Sequence, residues 1–245
     1  MTGAVTVRAG PQLFDFSNGT QSASALFTFG VEAGGQKTLR IVLTNTTGVN
    51  TADFGHRLLT GLYFDINTVP ALLNGTVDNG LMATFNDGGQ TNTSLDPAQF
   101  WAFRQDLNSQ PNGQQYGLAS AGLFDVFGPS DMLASGGPLP QPDGADGGIL
   151  TASTSDASGD PIADFAPPSG HFGKPFVLGS MEFVFELAGG FDLDGAVVGN
   201  VAFAFGTDPD IILIPVPLAF PMGLAGLAGM VILRRVVRSG QRRAA

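Results

Sequence analysis

Four stretches of this chain alternate large apolar residues with smaller or polar ones at a period of two. That pattern restricts the fold to one built on half-buried strands. Ala25, Phe27, Phe29 and Val31 share one side of the first stretch. Leu39, Ile41 and Leu43 alternate with Arg40, Val42 and Thr44 in the second. Met181, Phe183, Phe185 and Leu187 alternate with Glu182, Val184 and Glu186 in the third, and Val201, Phe203 and Phe205 with Ala202 and Ala204 in the fourth. Successive side chains of a strand point to opposite faces, so residues i, i+2 and i+4 line one side of a sheet. The run LLTGLYFDI at 58–66 and residues 80–85 are weaker strand candidates.

Turn chemistry separates these runs. Gly34-Gly35, Asn74-Gly75, Asn112-Gly113 and Asp194-Gly195 supply residues that tolerate positive φ. Short alternating strands joined by such turns predict a mainly β protein, an antiparallel β-sandwich of jelly-roll or immunoglobulin-like type. No helical period of any length precedes residue 215. One short helix is expected near 96–107, with Asp96 as its cap and Pro97 at its first position. Residues 135–170 are rich in Gly, Pro, Asp, Ser and Ala and read as a long flexible loop.

The end of the chain has a different character. From Ile211 to Leu233 there are 23 consecutive uncharged residues, with prolines at 215, 217 and 221. Residues 217–233 predict one C-terminal transmembrane helix at the short end of the spanning range. Arg234, Arg235, Arg238, Arg242 and Arg243 follow. Arginines beside an apolar segment are retained on the cytoplasmic side, which puts the N-terminal body outside. The division expected is therefore an extracytoplasmic body, 1–210, and a C-terminal segment, 211–245.

The charges divide at the same place. Residues 1–210 carry all 21 acidic residues against six basic ones, a net of −15, and the rest carries five arginines and no acid. So acidic a body repels phosphate backbones and excludes nucleic acid as an expected partner. There is no cysteine, so disulfides, thiolate metal sites and a Cys nucleophile are excluded. Residues 1–11 contain one Arg and no apolar run of seven or more, so they do not read as a signal peptide. That counts against export of the sequence as it begins at Met1.

The tail Ile214-Pro215-Val216-Pro217-Leu218-Ala219, its apolar Gly/Ala/Leu stretch and Arg234-Arg235 together resemble a PEP-CTERM-type sorting signal. The likeness is closest to the variant that begins Val-Pro-Leu-Pro-Ala, although Val216-Pro217-Leu218-Ala219 lacks the Glu of the commonest motif and the second Pro of the variant. The body also resembles a family of exosortase-dependent bacterial surface proteins. LRIVLTN at 39–45, LLTGLYFD at 58–65, YGLASAG at 116–122, FGPSD at 127–131 and NVAFAFG at 200–206 carry that likeness. The resemblance implies an exosortase-like membrane protease as partner, Val216, Pro217, Leu218 and Ala219 as the motif it reads, and Arg234, Arg235 and Arg238 as the membrane stop. It implies the lipid bilayer and exopolysaccharide as further partners. The protein would lie in the bacterial inner membrane, then at the cell surface or outside the cell once processed.

Residues that could carry chemistry are few. His56 and His171 are the two histidines, far apart and without a G-x-S-x-G or paired-carboxylate pattern nearby. No enzyme activity and no cofactor are expected. Asp192, Asp194, Asp208 and Asp210 are oxygen ligands of the kind calcium takes, but no Glu stands twelfth from Asp192, and Asp-Gly turns explain them more simply. Trp101 between Phe100 and Phe103 could stack on a sugar, or belong to a core cluster. The expected role is a structural or interaction protein of the envelope. A carbohydrate-binding module on the same anchor is the first alternative, and a secreted hydrolase the second.

Overall fold

The computed structural model describes residues 10–48, 57–68, 71–87, 89–107, 113–121, 127, 131–134, 146–155, 157–164, 167–206 and 210–213. In chain order the strands are β1 (Gln12–Ser17), β2 (Ser22–Val31), β3 (Lys37–Asn45), β4 (Leu59–Ile66), β5 (Leu72–Asn79), β6 (Met82–Asn86), β7 (Gly89–Thr93) and β8 (Ala102–Arg104). They continue with β9 (Tyr116–Ala119), β10 (Ile149–Leu150), β11 (Ala152–Ser155), β12 (Pro161–Ala163), β13 (Pro175–Leu178), β14 (Ser180–Leu187), β15 (Val198–Phe205) and β16 (Asp210–Leu213). The protein is mainly β, as the alternation predicts. Among the described residues no helix is long and apolar enough to cross a membrane, and the span expected at 217–233 lies outside them.

Two sheets share one core. The first has five strands in the order β1-β2-β3-β14-β5, all antiparallel. The second runs β16-β15-β4-β10-β13-β6-β7, with β9 also on β4 and β8 on β9. Its β10–β13 pair is parallel, which departs from the expected all-antiparallel arrangement. Rings meet across the interior: Phe27 and Phe64 have centroids 5.0 Å apart, and Trp101 stands edge-on to Phe183 at 5.2 Å. These residues belong to one apolar cluster fed by both sheets. Removing such side chains from water stabilises the fold by about 2 kcal/mol each.

The alternation places its residues as the sequence predicts, with one exception. Ala25, Phe27, Phe29, Leu39, Ile41, Leu43, Met181, Phe183, Phe185 and Leu187 are all buried. Val31 is 40% exposed. At that point β2 is leaving the sheet: the Glu32 N–H bonds the Gln36 carbonyl at 2.8 Å to close the turn into β3.

Strand β4, a weaker candidate from the sequence, lies inside the second sheet, and seven of its eight residues are buried. Its outward side is covered. Tyr63, Ala202 and Ala204 pack there under Ala102, Leu107, Ala119 and Phe127. A Cβ at Gly61 would stand 3.1 Å from the Ala204 Cβ and 3.2 Å from the Leu118 carbonyl oxygen, which explains glycine at that position. A further cluster of Leu58, Ala83, Phe85, Leu150, Phe176 and Leu178 lies under Ala152, Ala163 and Phe172. The five-stranded sheet differs, because Ser24, Thr28, Arg40, Val42, Thr44, Glu182 and Val184 on its outer side remain partly exposed.

Three expectations need correction. Within 135–170, β10 lies in the second sheet between β4 and β13, and β11 pairs with β12. Ile149 and Leu150 are fully buried there, and two residues are too few to show a period. The helix at 96–107 is a single 3-10 turn, Pro97–Phe100, in which the Ala98 N–H donates to Asp96 Oδ1 at 2.9 Å. Trp101 then extends into β8 because its indole is drawn into the core. Finally, the apolar run from Ile211 begins in the sheet: β16 pairs with β15, Leu213 opposite Ala202 and Asp210 opposite Phe205. All described residues fall within one compact unit, Met1–Ile214.

Candidate functional site

The expected sorting residues Val216, Pro217, Leu218 and Ala219, and Arg234, Arg235 and Arg238, lie outside the described residues, as do His56 and Asp208. Asp192 and Asp194 are exposed on the way into β15. The Asp194 N–H donates to Asp192 Oδ1 at 2.9 Å, and Gly195 follows at φ +84°. This is the side-chain-closed turn that Asp forms readily. Asp210 opens β16 instead of joining that turn. Among the described residues no three His, Asp or Glu side chains are grouped closely enough to hold a metal. His171 ends a 3-10 turn, Ser169–His171.

Trp101 offers no sugar platform. It is fully buried, and its indole N–H donates to the Gly147 carbonyl at 2.8 Å. Both tyrosines are buried as well, and the exposed large apolar residues among those described, Leu13, Val31, Leu73 and Leu95, include no aromatic.

Among the described residues Arg40 forms the densest ion-pair cluster, on the outer side of the five-stranded sheet. Its guanidinium donates to Glu182 Oε1 at 2.7 Å, to Glu32 Oε1 at 3.0 Å and to Asp78 Oδ2 at 3.1 Å. Glu182 first and then Glu32 hold the Arg40 proton more firmly than usual, and Asp78 adds to this. The cluster ties β3, β14, β5 and the β2–β3 turn together. With every arm of the guanidinium occupied it is a fastener, and it leaves no vacancy for a ligand.

A second polar network occupies the bulge of β15 opposite β4. Asp65 accepts the Gln115 N–H at 2.7 Å and the Asn200 amide at 3.0 Å. Asn200 has φ +48°, at the point where the β15–β4 register shifts. Gln114 is fully buried and donates to the Asn200 carbonyl at 3.2 Å. Burial first, and the nearby Asp65 charge second, push the Tyr116 hydroxyl up to about 12. Burial likewise raises the pKa of Tyr63, whose buried hydroxyl has no hydrogen-bond partner.

The sequence does not single out the cleft where the edges of the two sheets meet. Its volume is about 260 Å³, and Leu72, Phe103, Arg104, Gln105, Asp106 and Asp131 line it. Arg104 ends β8, and its Nε donates to Asp106 Oδ1 at 2.9 Å. Asp131 Oδ2 stands 4.0 Å from its Nη1 on the other side. Asp131 is held there because Met132 bridges Ala102 and the Leu133 N–H donates to the Trp101 carbonyl at 3.0 Å. The Leu72 N–H from β5 donates to Gln105 Oε1 at 3.2 Å. That bond anchors the exposed Gln105 side chain by its oxygen. Phe103 closes the inner side, stacked on Tyr116 at 6.5 Å and tilted on Phe185 at 4.4 Å. The one sequence signal was the charged group Arg104–Asp106 in a chain with only 13% charged residues.

No protein-family model matches the chain, and neither a curated protein nor a solved structure matches it.

Proposed function

We propose that this protein is an exported component of a bacterial envelope, associated with exopolysaccharide, whose β body stands outside the cytoplasm and whose C-terminal segment anchors and sorts it. The observation that carries the reading is the order of the tail: Pro215, Pro217 and Pro221, an apolar stretch to Leu233, then five arginines without an acid. Because β16 ends at Leu213, an uncharged run, 214–233, follows the sheet. Its part from Pro217 to Leu233 gives a helix of 17 residues, the short end of what spans the hydrocarbon core of a bilayer. An exosortase-like membrane protease reads Val216, Pro217, Leu218 and Ala219 where the prolines keep the strip extended. Arg234, Arg235 and Arg238 hold the cytoplasmic end. The body acts as a structural or interaction module and not as an enzyme. Its stacked sheets support a β-sandwich of the jelly-roll or immunoglobulin-like class, modified by the parallel β10–β13 pair.

Membrane fractionation tests this. The full-length chain sediments with the inner membrane, and deletion of residues 215–245 moves the body to the soluble fraction. Recovery of intact full-length chain from the soluble cytosol would sink the reading.

A carbohydrate-binding role on the same anchor is favoured by one observation, the cleft around Arg104, whose polar groups and aromatic wall suit a polyhydroxylated ring.

A further inference from the structure

The geometry points to the cleft between β5 and β8 as a binding site for a single neutral sugar ring, the end or a side unit of a polysaccharide. The inference rests on the carbohydrate-binding reading and gives that reading a place and a ligand class.

Size sets the first limit. At about 260 Å³ the cleft falls just below the usual range of ligand sites and admits no more than about one ring. Charge sets the second. Arg104 lies between Asp106 and Asp131, so the described lining carries one net negative charge and already holds a guanidinium between its carboxylates. A second cation has no vacancy there, and an anionic ligand such as a uronate meets two carboxylates. A neutral polyol escapes both penalties.

The polar groups then match what a sugar presents. A ring offers neighbouring hydroxyls that donate and accept at once. Asp106 and Asp131 carboxylate oxygens accept from such hydroxyls, and the NH2 of the exposed Gln105 donates to them. The Leu72 N–H on Gln105 Oε1 fixes that amide before any ligand arrives, which lowers the ordering cost of binding. Phe103 supplies the apolar wall against which the C–H side of a ring packs, and Tyr116 and Phe185 hold it in place. Arg104 is a positioning residue, since its hydrogen bond to Asp106 orients that carboxylate. The site differs from an open aromatic platform because its aromatic ring is recessed and its polar groups stand at the rim.

The test is saturation-transfer NMR on the full-length chain in a detergent without sugar headgroups. The probes are glucose, galactose and mannose, with glucuronate as the anionic comparison. Two variants, Gln105→Ala and Asp106→Ala, change exposed side chains, so the fold survives; unchanged thermal melting verifies this. The expected result is transfer to at least one neutral sugar with millimolar affinity, weakened about tenfold in each variant, and weaker transfer to glucuronate. Neutral-sugar binding that both variants retain in full would overturn the cleft assignment and leave a carbohydrate module standing. Binding of glucuronate in preference to the neutral sugars would overturn the ligand class. Absence of transfer to any of the three neutral sugars would overturn this inference and remove the carbohydrate reading with it. Membrane association is read separately by fractionation, so neither result is mistaken for the other.

Discussion

The side-chain amide of Asn45 donates to the backbone carbonyl of Ile149 at 2.6 Å, joining the end of β3 in one sheet to β10 in the other. The same NH2 also reaches the Arg57 carbonyl, while Asn45 Oδ1 accepts from the Thr47 N–H at 3.0 Å and the Thr151 hydroxyl at 3.2 Å. Asn45 is 2% exposed, and its bonds to Ile149, Thr47 and Thr151 are made away from water. Truncation takes a donor from two carbonyls and the acceptor from the Thr47 N–H at once, while the Thr151 hydroxyl keeps the Thr47 carbonyl at 2.7 Å. Asn45→Ala is expected to destabilise the fold by about 2–4 kcal/mol, read as a lowered denaturation midpoint. Asn45→Asp should be at least as damaging, because it removes the donors and buries a charge.

Trp101 and Gly147 make another buried connection. Trp101→Phe keeps a ring against Phe183 but leaves the Gly147 carbonyl without its indole donor and opens space. A loss of about 1–3 kcal/mol is expected. Gly147 has φ +76°, and a Cβ there would lie 2.2 Å from the Phe100 Cβ. Gly147→Ala should therefore cost at least about 2 kcal/mol. Equal melting temperatures for the wild type and this variant would contradict the packing described.

Arg40→Met should do far less. The guanidinium has three partners, but its side chain is 35% exposed and two of the partners are more exposed still. Water and salt screen such pairs, so a change below about 1 kcal/mol is expected. Its sign should be read at low and high salt, since the loss ought to shrink as ionic strength rises.

Alkaline pH supplies a separate test. Tyr116 titrates at 10.0 when unperturbed and is pushed up to about 12 in the folded protein, and the Tyr63 pKa is raised too. Between those pH values the unfolded chain has released the proton and the folded chain still holds it. Stability is therefore full below pH 10 and falls as pH rises toward 12. Tyr116→Phe should flatten that fall in melting temperature, and an unchanged slope would count against the burial and the Asp65 proximity assigned to this hydroxyl.

Chain truncation distinguishes sheet from tail. A fragment ending at Ile214 keeps β16 on β15, whereas one ending at residue 209 exposes the edge of β15. The shorter fragment is expected to melt at a lower temperature and to aggregate more readily through that open edge.

The core strands β2, β3 and β14 were legible because each has water on one side and the core on the other, so burial is written into alternate residues. Strand β4 was less so: with both faces covered, Leu58 to Ile66 shows almost no alternation. Strand β10 was hidden because it contributes two residues, Ile149 and Leu150, within a polar stretch. The cleft was hidden for another reason. Arg104 and Asp131 are 27 positions apart, and a bridge between Ala102 and Met132 brings them together.

The sequence by itself determined the β class, the inward residues of the one-sided strands, and the division between an acidic body and an arginine-rich end. Those properties are local, carried by periodicity and charge along the chain. Only the tertiary structure decided which sheet received an outer cover, that Trp101 is a core residue, that the apolar run after Asp210 begins as a strand, and which charged groups share a cleft. Each of these depends on backbone pairing between segments distant in sequence, and pairing energy carries no mark in the spacing of residues along a single strand.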